Sequence, residues 1–143
     1  MTTGSKRRTL ATSTIGFAAD ERGEGVAYAL VAAPREALMR TAFRVKRLSG
    51  FEGREVAYAA LTAVVAALRH RGFRSLEIEV ADEKLVAEIE GRRPIPPALA
   101  MSYVTLRCAL NGLTQARVRS VDPARVADLE ARARAEVSLH VAA

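Results

Sequence analysis

The sequence predicts an α/β fold: a mixed five-stranded sheet, in the order β-β-β-α-β-α-α-β-α, with helices on both faces. Three observations carry this. The longest apolar run, Val56 to Leu68, holds good helix formers and neither Gly nor Pro. It is apolar on nearly every side, as a buried central helix is. Three extended segments separated by short turns precede it, and these read as hairpin-linked antiparallel strands. After it, strands alternate with helices, and a helical crossover returns the chain parallel to its neighbour.

Taken in order, residues 1–10 are polar and cationic, with Lys6, Arg7 and Arg8, and read as a flexible basic arm. The domain spans 11–137, and 138–143 form a tail. Thr12, Thr14, Ile15 and Phe17 favour a first strand from Ala11 to Asp20. Asp20-Glu21-Arg22-Gly23-Glu24-Gly25 is a turn, and Val26 to Ala32 a second strand. Pro34 interrupts, and Leu38 to Lys46 alternates as a half-exposed third strand. The central helix runs from about Arg54 to His70, with Gly72 as its stop.

Phe73 to Val80 is a fourth strand, in which Leu76, Ile78 and Val80 alternate with Glu77 and Glu79. Asp82 can cap a short helix from Glu83 to Glu90. Gly91 to Pro97 breaks the chain. A third helix, about Ala98 to Leu110, places Met101, Tyr103, Leu106, Cys108 and Leu110 as packing residues. Gln115 to Val121 is the fifth strand. Asp122-Pro123 opens the last helix, which runs to about Val137.

The composition narrows the function classes. A chain of 143 residues, half of them hydrophobic and 27% charged, builds one domain with a real core. The net charge of +6 favours a partner carrying phosphates or an acidic surface. The single cysteine excludes an internal disulfide and fits a reducing cytosol. The amino terminus lacks the apolar region of a signal peptide. The run before Arg69-His70-Arg71 is shorter than the roughly 20 residues of a bilayer span. A cytoplasmic location without a membrane partner is the expectation. No His-x-x-x-His or paired-Cys spacing marks another kind of metallo-hydrolase.

Three local motifs, in this order and on these elements, resemble the ribonuclease H family. Its central helix opens Ala-Glu-Tyr/Leu-x-Ala-Leu, and Val56-Ala57-Tyr58-Ala59-Ala60-Leu61 fits except at the Glu. Its fourth strand leads into Asp-Ser-x-Leu/Tyr-Val; Asp82, Leu85 and Val86 match. Its last helix carries Ala-Asp-x-Leu-Ala; Ala127 and Asp128 match. The resemblance covers about Ala11 to Val137. It implies four clustered carboxylates holding two divalent cations, Mg²⁺ or Mn²⁺, one activating water and the other stabilising the leaving oxygen of the RNA strand. It also implies recognition of RNA–DNA hybrid through backbone and 2′-hydroxyl contacts.

Asp82 and Asp128 are the metal-ligand and catalytic candidates that the resemblance supplies, and Asp20 is the third catalytic candidate. Each also has a plain structural reading: Asp82 as an N-cap, Asp128 as an acid welcomed by the helix dipole in the first turn. The departures concern the other positions. Ala57 stands where the helix Glu belongs. Glu55 is two residues away and faces roughly 200° around the helix. The first-strand Asp would fall at Ala18; Asp20 shares that face but lies about 7 Å further on. Glu83 replaces the usual Ser and adds a carboxylate.

For nucleic acid, the candidate contacts are Arg117 and Arg119 on the fifth strand, with Arg92 and Arg93 before the prolines. Arg125, Arg132 and Arg134 on the last helix read as a solvated face. The reading that follows is a ribonuclease H-like module that binds nucleic acid or another partner, its nuclease centre lost or weakened. One alternative is an active divalent-metal-dependent endonuclease cutting the RNA strand through Asp82, Asp128 and Asp20 or Glu83. A second is a structural homodimer formed through the third strand or the last helix.

Overall fold

The computed structural model of the chain describes residues 10–32 and 35–142, with side chains as far as residue 139. The basic arm with Lys6, Arg7 and Arg8, Pro34 and the His140 side chain lie outside the described residues. The elements are β1 (Ala11–Ala19), β2 (Glu24–Ala32), β3 (Glu36–Arg44), α1 (Arg54–His70), β4 (Ser75–Val80), α2 (Glu83–Ile89), a 3-10 turn (Pro97–Leu99), α3 (Ala100–Asn111), β5 (Gln115–Ser120) and α4 (Pro123–Ala142). The sheet order is β3-β2-β1-β4-β5. β1 and β3 flank β2 antiparallel, while β1–β4 and β4–β5 are parallel. The predicted mixed sheet and its element order are those observed.

The β1–β2 hairpin closes where the Asp20 N–H donates to the Glu24 carbonyl at 2.9 Å. Gly23 takes φ 87° there, and its carbonyl accepts from the Val45 N–H at 2.9 Å. Only a residue without Cβ adopts that φ freely, and a Cβ would also collide with the Val45 carbonyl.

α1 begins and ends as its sequence demands, between Gly53 and the Arg71-Gly72 turn. Its Ala57, Tyr58, Ala60, Leu61, Val64, Val65 and Leu68 are buried, and they meet Ile15, Ala27, Ala29, Leu76 and Ile78 from the sheet. Each fully buried aliphatic side chain of this kind contributes about 1.5–3 kcal/mol. α3 packs on α1 through Leu106 and Leu110. Met101 and Cys108, expected as packing residues, are instead exposed, because α3 is covered on one side only. α4 continues to Ala142, past the expected end near Val137.

α4 alone covers the second face, lying on β1 and β2. Its apolar seam is narrow: Val126, Leu129 and Ala133. Polar clamps hold its length. Arg125 donates to Glu79 of β4 at 3.0 Å, Glu136 accepts from the Tyr28 hydroxyl at 2.6 Å, and the Arg132 guanidinium lies 5.6 Å from the Tyr28 ring centroid. Arg125 and Arg132 thus touch the sheet while remaining exposed, as does Arg134, in keeping with the solvated face expected of them. The close approach depends on Gly16. A Cβ there would sit 2.5 Å from the Glu130 nitrogen and 2.6 Å from the Leu129 Cβ. Backbone cannot swing aside as a side-chain tip can, so Gly16→Ala is expected to push α4 off the sheet. The cost is about 1–3 kcal/mol, read as a lower Tm with faster amide exchange in α4 than in α1.

Candidate functional site

Alternation directs Thr12, Thr14, Gly16 and Ala18 of β1, and Glu77 and Glu79 of β4, toward α4. Ala18, where the resemblance would place the first-strand Asp, thus lies on the α4 side. On the opposite face, Ala57 of α1 is 1% exposed and packed in the core.

Each sequence candidate has a defined place. Asp20 ends β1, and its Oδ1 accepts from the backbone N–H groups of Arg22 (2.8 Å) and Glu24 (3.0 Å). Asp82 is the N-cap of α2 and accepts from the Leu85 N–H at 3.0 Å. Asp128 is exposed on α4 and falls beyond its first turn, which contains no acid. Glu83 is exposed in the first turn of α2. Among the described residues, no three His, Cys, Asp or Glu side chains gather so as to hold a metal ion.

Of the candidate arginines, Arg119 bonds Glu79 and lies 3.9 Å from Glu77. Arg92 donates to Glu90. Arg117 is exposed, with only a 3.9 Å approach to Glu77, and Arg93 is exposed. β5 is a sheet edge, as is β3 at the other side.

The sequence reading passed over the most connected carboxylate on the α4 face. Glu79 is fully buried. Its Oε1 accepts from the Thr14 hydroxyl at 2.8 Å and from Arg125 Nε at 3.0 Å, and its Oε2 accepts from Arg119 Nε at 3.2 Å and from Nη2 of the same guanidinium. Burial pushes this carboxyl up, but Arg119, Thr14 and Arg125 outweigh it and hold Glu79 below its ordinary value. The signal was available as a carboxylate on a central strand beside an arginine on the next strand.

Two more carboxylates are buried at the α1 end of the fold. Glu88 of α2 accepts from the Tyr58 hydroxyl at 2.9 Å and pairs with Arg54. Burial, then the bond to Glu88, pushes the Tyr58 hydroxyl far up, so it remains a donor. Glu55 is 1% exposed, and its Oε2 accepts from Arg47 Nε at 3.0 Å and the Leu48 N–H at 3.1 Å. Burial again opposes these partners, and the net direction is downward.

Glu79 and Glu55 make stability acid-sensitive. Both titrate lower folded than unfolded, where a glutamate titrates near ~4.3. Their contribution is complete above that value and is lost as pH falls through the folded values. Denaturant titrations from pH 7 to pH 3 should show it, and Glu79→Gln should flatten the curve while lowering stability at pH 7.

Neither a protein-family model nor a curated protein sequence matches the chain. Solved structures do. Ribonuclease H1 of the halophilic archaeon Halobacterium salinarum superposes with a TM-score of 0.70 at 17% identity, covering 88% of this chain and 96% of that one. The N-terminal ribonuclease H domain of a Mycobacterium tuberculosis protein gives 0.66 at 16%, covering 94% and 99%. LC11 ribonuclease H1, isolated from compost by a metagenomic approach, gives 0.72 at 11%, covering 92% and 98%. A structure of LC11 ribonuclease H1 in complex with an RNA/DNA hybrid gives 0.68 at 9%, covering 92% and 99%. At these identities the likeness is one of architecture, and with the sheet order and helix placement above it establishes that the chain has the ribonuclease H fold.

Proposed function

We propose that the chain is a nucleic-acid-binding protein of the ribonuclease H fold, which holds RNA–DNA hybrid or duplex by its backbone and cleaves it weakly or not at all. The observation that supports this reading is where the carboxylates are spent. Glu79 is bonded to two guanidiniums, Asp82 caps a helix, Asp20 ties a turn and Asp128 stands out in solvent. A hard divalent cation needs several free oxygens converging on one point. Guanidinium charge already occupies both oxygens of the buried Glu79. The donor set does not fit two metal ions, and Asp82, Asp128 and Asp20 would serve as ligands only after rearrangement. The +6 charge and the hybrid held by one of the similar structures support the polyanion partner.

The test is a labelled RNA–DNA hybrid incubated with the purified protein. Expected is binding whose log affinity falls linearly with log salt, with the RNA strand intact in Mg²⁺ or Mn²⁺. Metal-dependent cleavage abolished by Asp82→Asn would instead establish a working centre. Absence of binding at low salt would remove the nucleic-acid reading.

A further inference from the structure

We infer that the nucleic acid is held at a basic corner formed by the carboxyl end of α1 and the amino ends of β4 and β5, remote from Asp20 and Asp82. The inference rests on the nucleic-acid reading and places its contact surface. The end of α1 and its connection to β4 carry Arg69, His70, Arg71 and Arg74 within six residues, without an acid. Arg69, Arg71 and Arg74 are exposed, and none has an ion pair or side-chain hydrogen bond among the described residues.

The α3–β5 loop brings a second set of donors to the same place. The Arg69 guanidinium lies over Gly112, where a Cβ would be 2.2 Å from its Cζ. The Thr114 N–H donates to the Arg74 carbonyl at 2.8 Å. Asn111 at the end of α3 and Thr114 of this loop line a groove of about 460 Å³ together with Arg107 and Arg117. Glu90 also lines it, but Arg92 bonds that carboxylate.

A helix end attracts cations, so the α1 dipole is the competing explanation. That dipole amounts to roughly half a negative charge, and three unpaired guanidiniums exceed it. Arginine, not lysine, at every one of these positions favours forked donation to phosphate oxygens. The neighbouring Asn and Thr add neutral donors of the kind that contact a sugar–phosphate backbone.

The position of the corner also bears on cleavage. Asp20 follows the carboxyl end of β1, and Asp82 that of β4, whereas the corner lies at the amino end of β4. Six residues of strand separate the two ends, or about 20 Å. A hybrid held at the corner therefore reaches the carboxylates only by running about 20 Å along the sheet.

The test compares Arg69→Gln/Arg71→Gln/Arg74→Gln with Arg22→Gln/Arg35→Gln/Lys46→Gln, which removes the same charge from exposed positions elsewhere. Binding of RNA–DNA hybrid is followed by fluorescence anisotropy across a salt series, with the fold of each variant checked by circular dichroism. The corner variant should bind at least about tenfold more weakly at 100 mM salt, its log–log salt slope smaller by about 2–3. The control should stay within about twofold of the native protein. Equal loss in both variants, or none in the corner variant while the native protein binds, overturns the inference and leaves the nucleic-acid reading intact. A native protein that ignores hybrid at low salt overturns both. Capture by phosphatidylserine vesicles in place of hybrid would assign the corner to a membrane surface and also overturn it.

Discussion

Arg54→Met is expected to cost about 3–5 kcal/mol, lowering Tm by roughly 10–20 °C for a chain of this size. Arg54 and Glu88 are both buried, their side chains 7% and 0% exposed. Removing the guanidinium leaves Glu88 charged, sequestered and bonded only to the Tyr58 hydroxyl. The loss therefore measures an orphaned charge and not the net worth of the pair. Arg54→Met/Glu88→Gln separates the two quantities. The amide keeps an oxygen for Tyr58 and carries no charge, so the double variant should recover more than half of the loss. Denaturant midpoints for the native chain, both single variants and the double variant close the cycle. A double variant as unstable as Arg54→Met alone would show that the guanidinium acts through packing.

The fold was legible because its signals were local. Gly53 and Gly72 bracket the segment that holds the apolar run, and α1 begins and ends between them, from Arg54 to His70 as expected. Asp122-Pro123 announced α4 in the same way: Asp122 Oδ1 accepts from the Ala124 N–H at 2.9 Å. The candidate site was less legible because its chemistry depends on which strands become neighbours. The alternation in β4 describes a half-exposed strand equally well. Glu79 is buried because β1 and β5 flank β4 and α4 supplies Arg125 from the chain's far end. Glu88 is separated in sequence from Arg54 and Tyr58 by the whole of β4 and meets them only after α2 docks on α1. α3 misled in the opposite sense. Of its expected packing residues, Leu106 and Leu110 do meet the core, whereas Met101 and Cys108 are exposed because they lie on the stripe that nothing covers.

Ala57→Glu places a carboxylate where the ribonuclease H resemblance would have one, and it is expected to destabilise the chain by about 3–5 kcal/mol at pH 7 without creating a nuclease. Ala57 is 1% exposed and belongs to the main apolar cluster. A carboxylate placed there loses its hydration, and no cation has been positioned to replace it. Its folded pKa should rise above the unfolded value near ~4.3. The folded state then binds the extra proton more tightly, so the variant's deficit grows as pH rises above that value and shrinks in acid. This sign is opposite to that of Glu79 and Glu55, whose contributions are lost in acid. Ala57→Gln carries nearly the same bulk without the charge, and the difference in Tm between the two variants isolates the titrating part. That difference should widen between pH 5 and pH 7.5 and be indifferent to Mg²⁺. If Mg²⁺ raises the Tm of Ala57→Glu but not that of Ala57→Gln, carboxylates do converge on position 57. The loss of one ligand, and not a wider rebuilding around guanidiniums, would then account for a weakened centre.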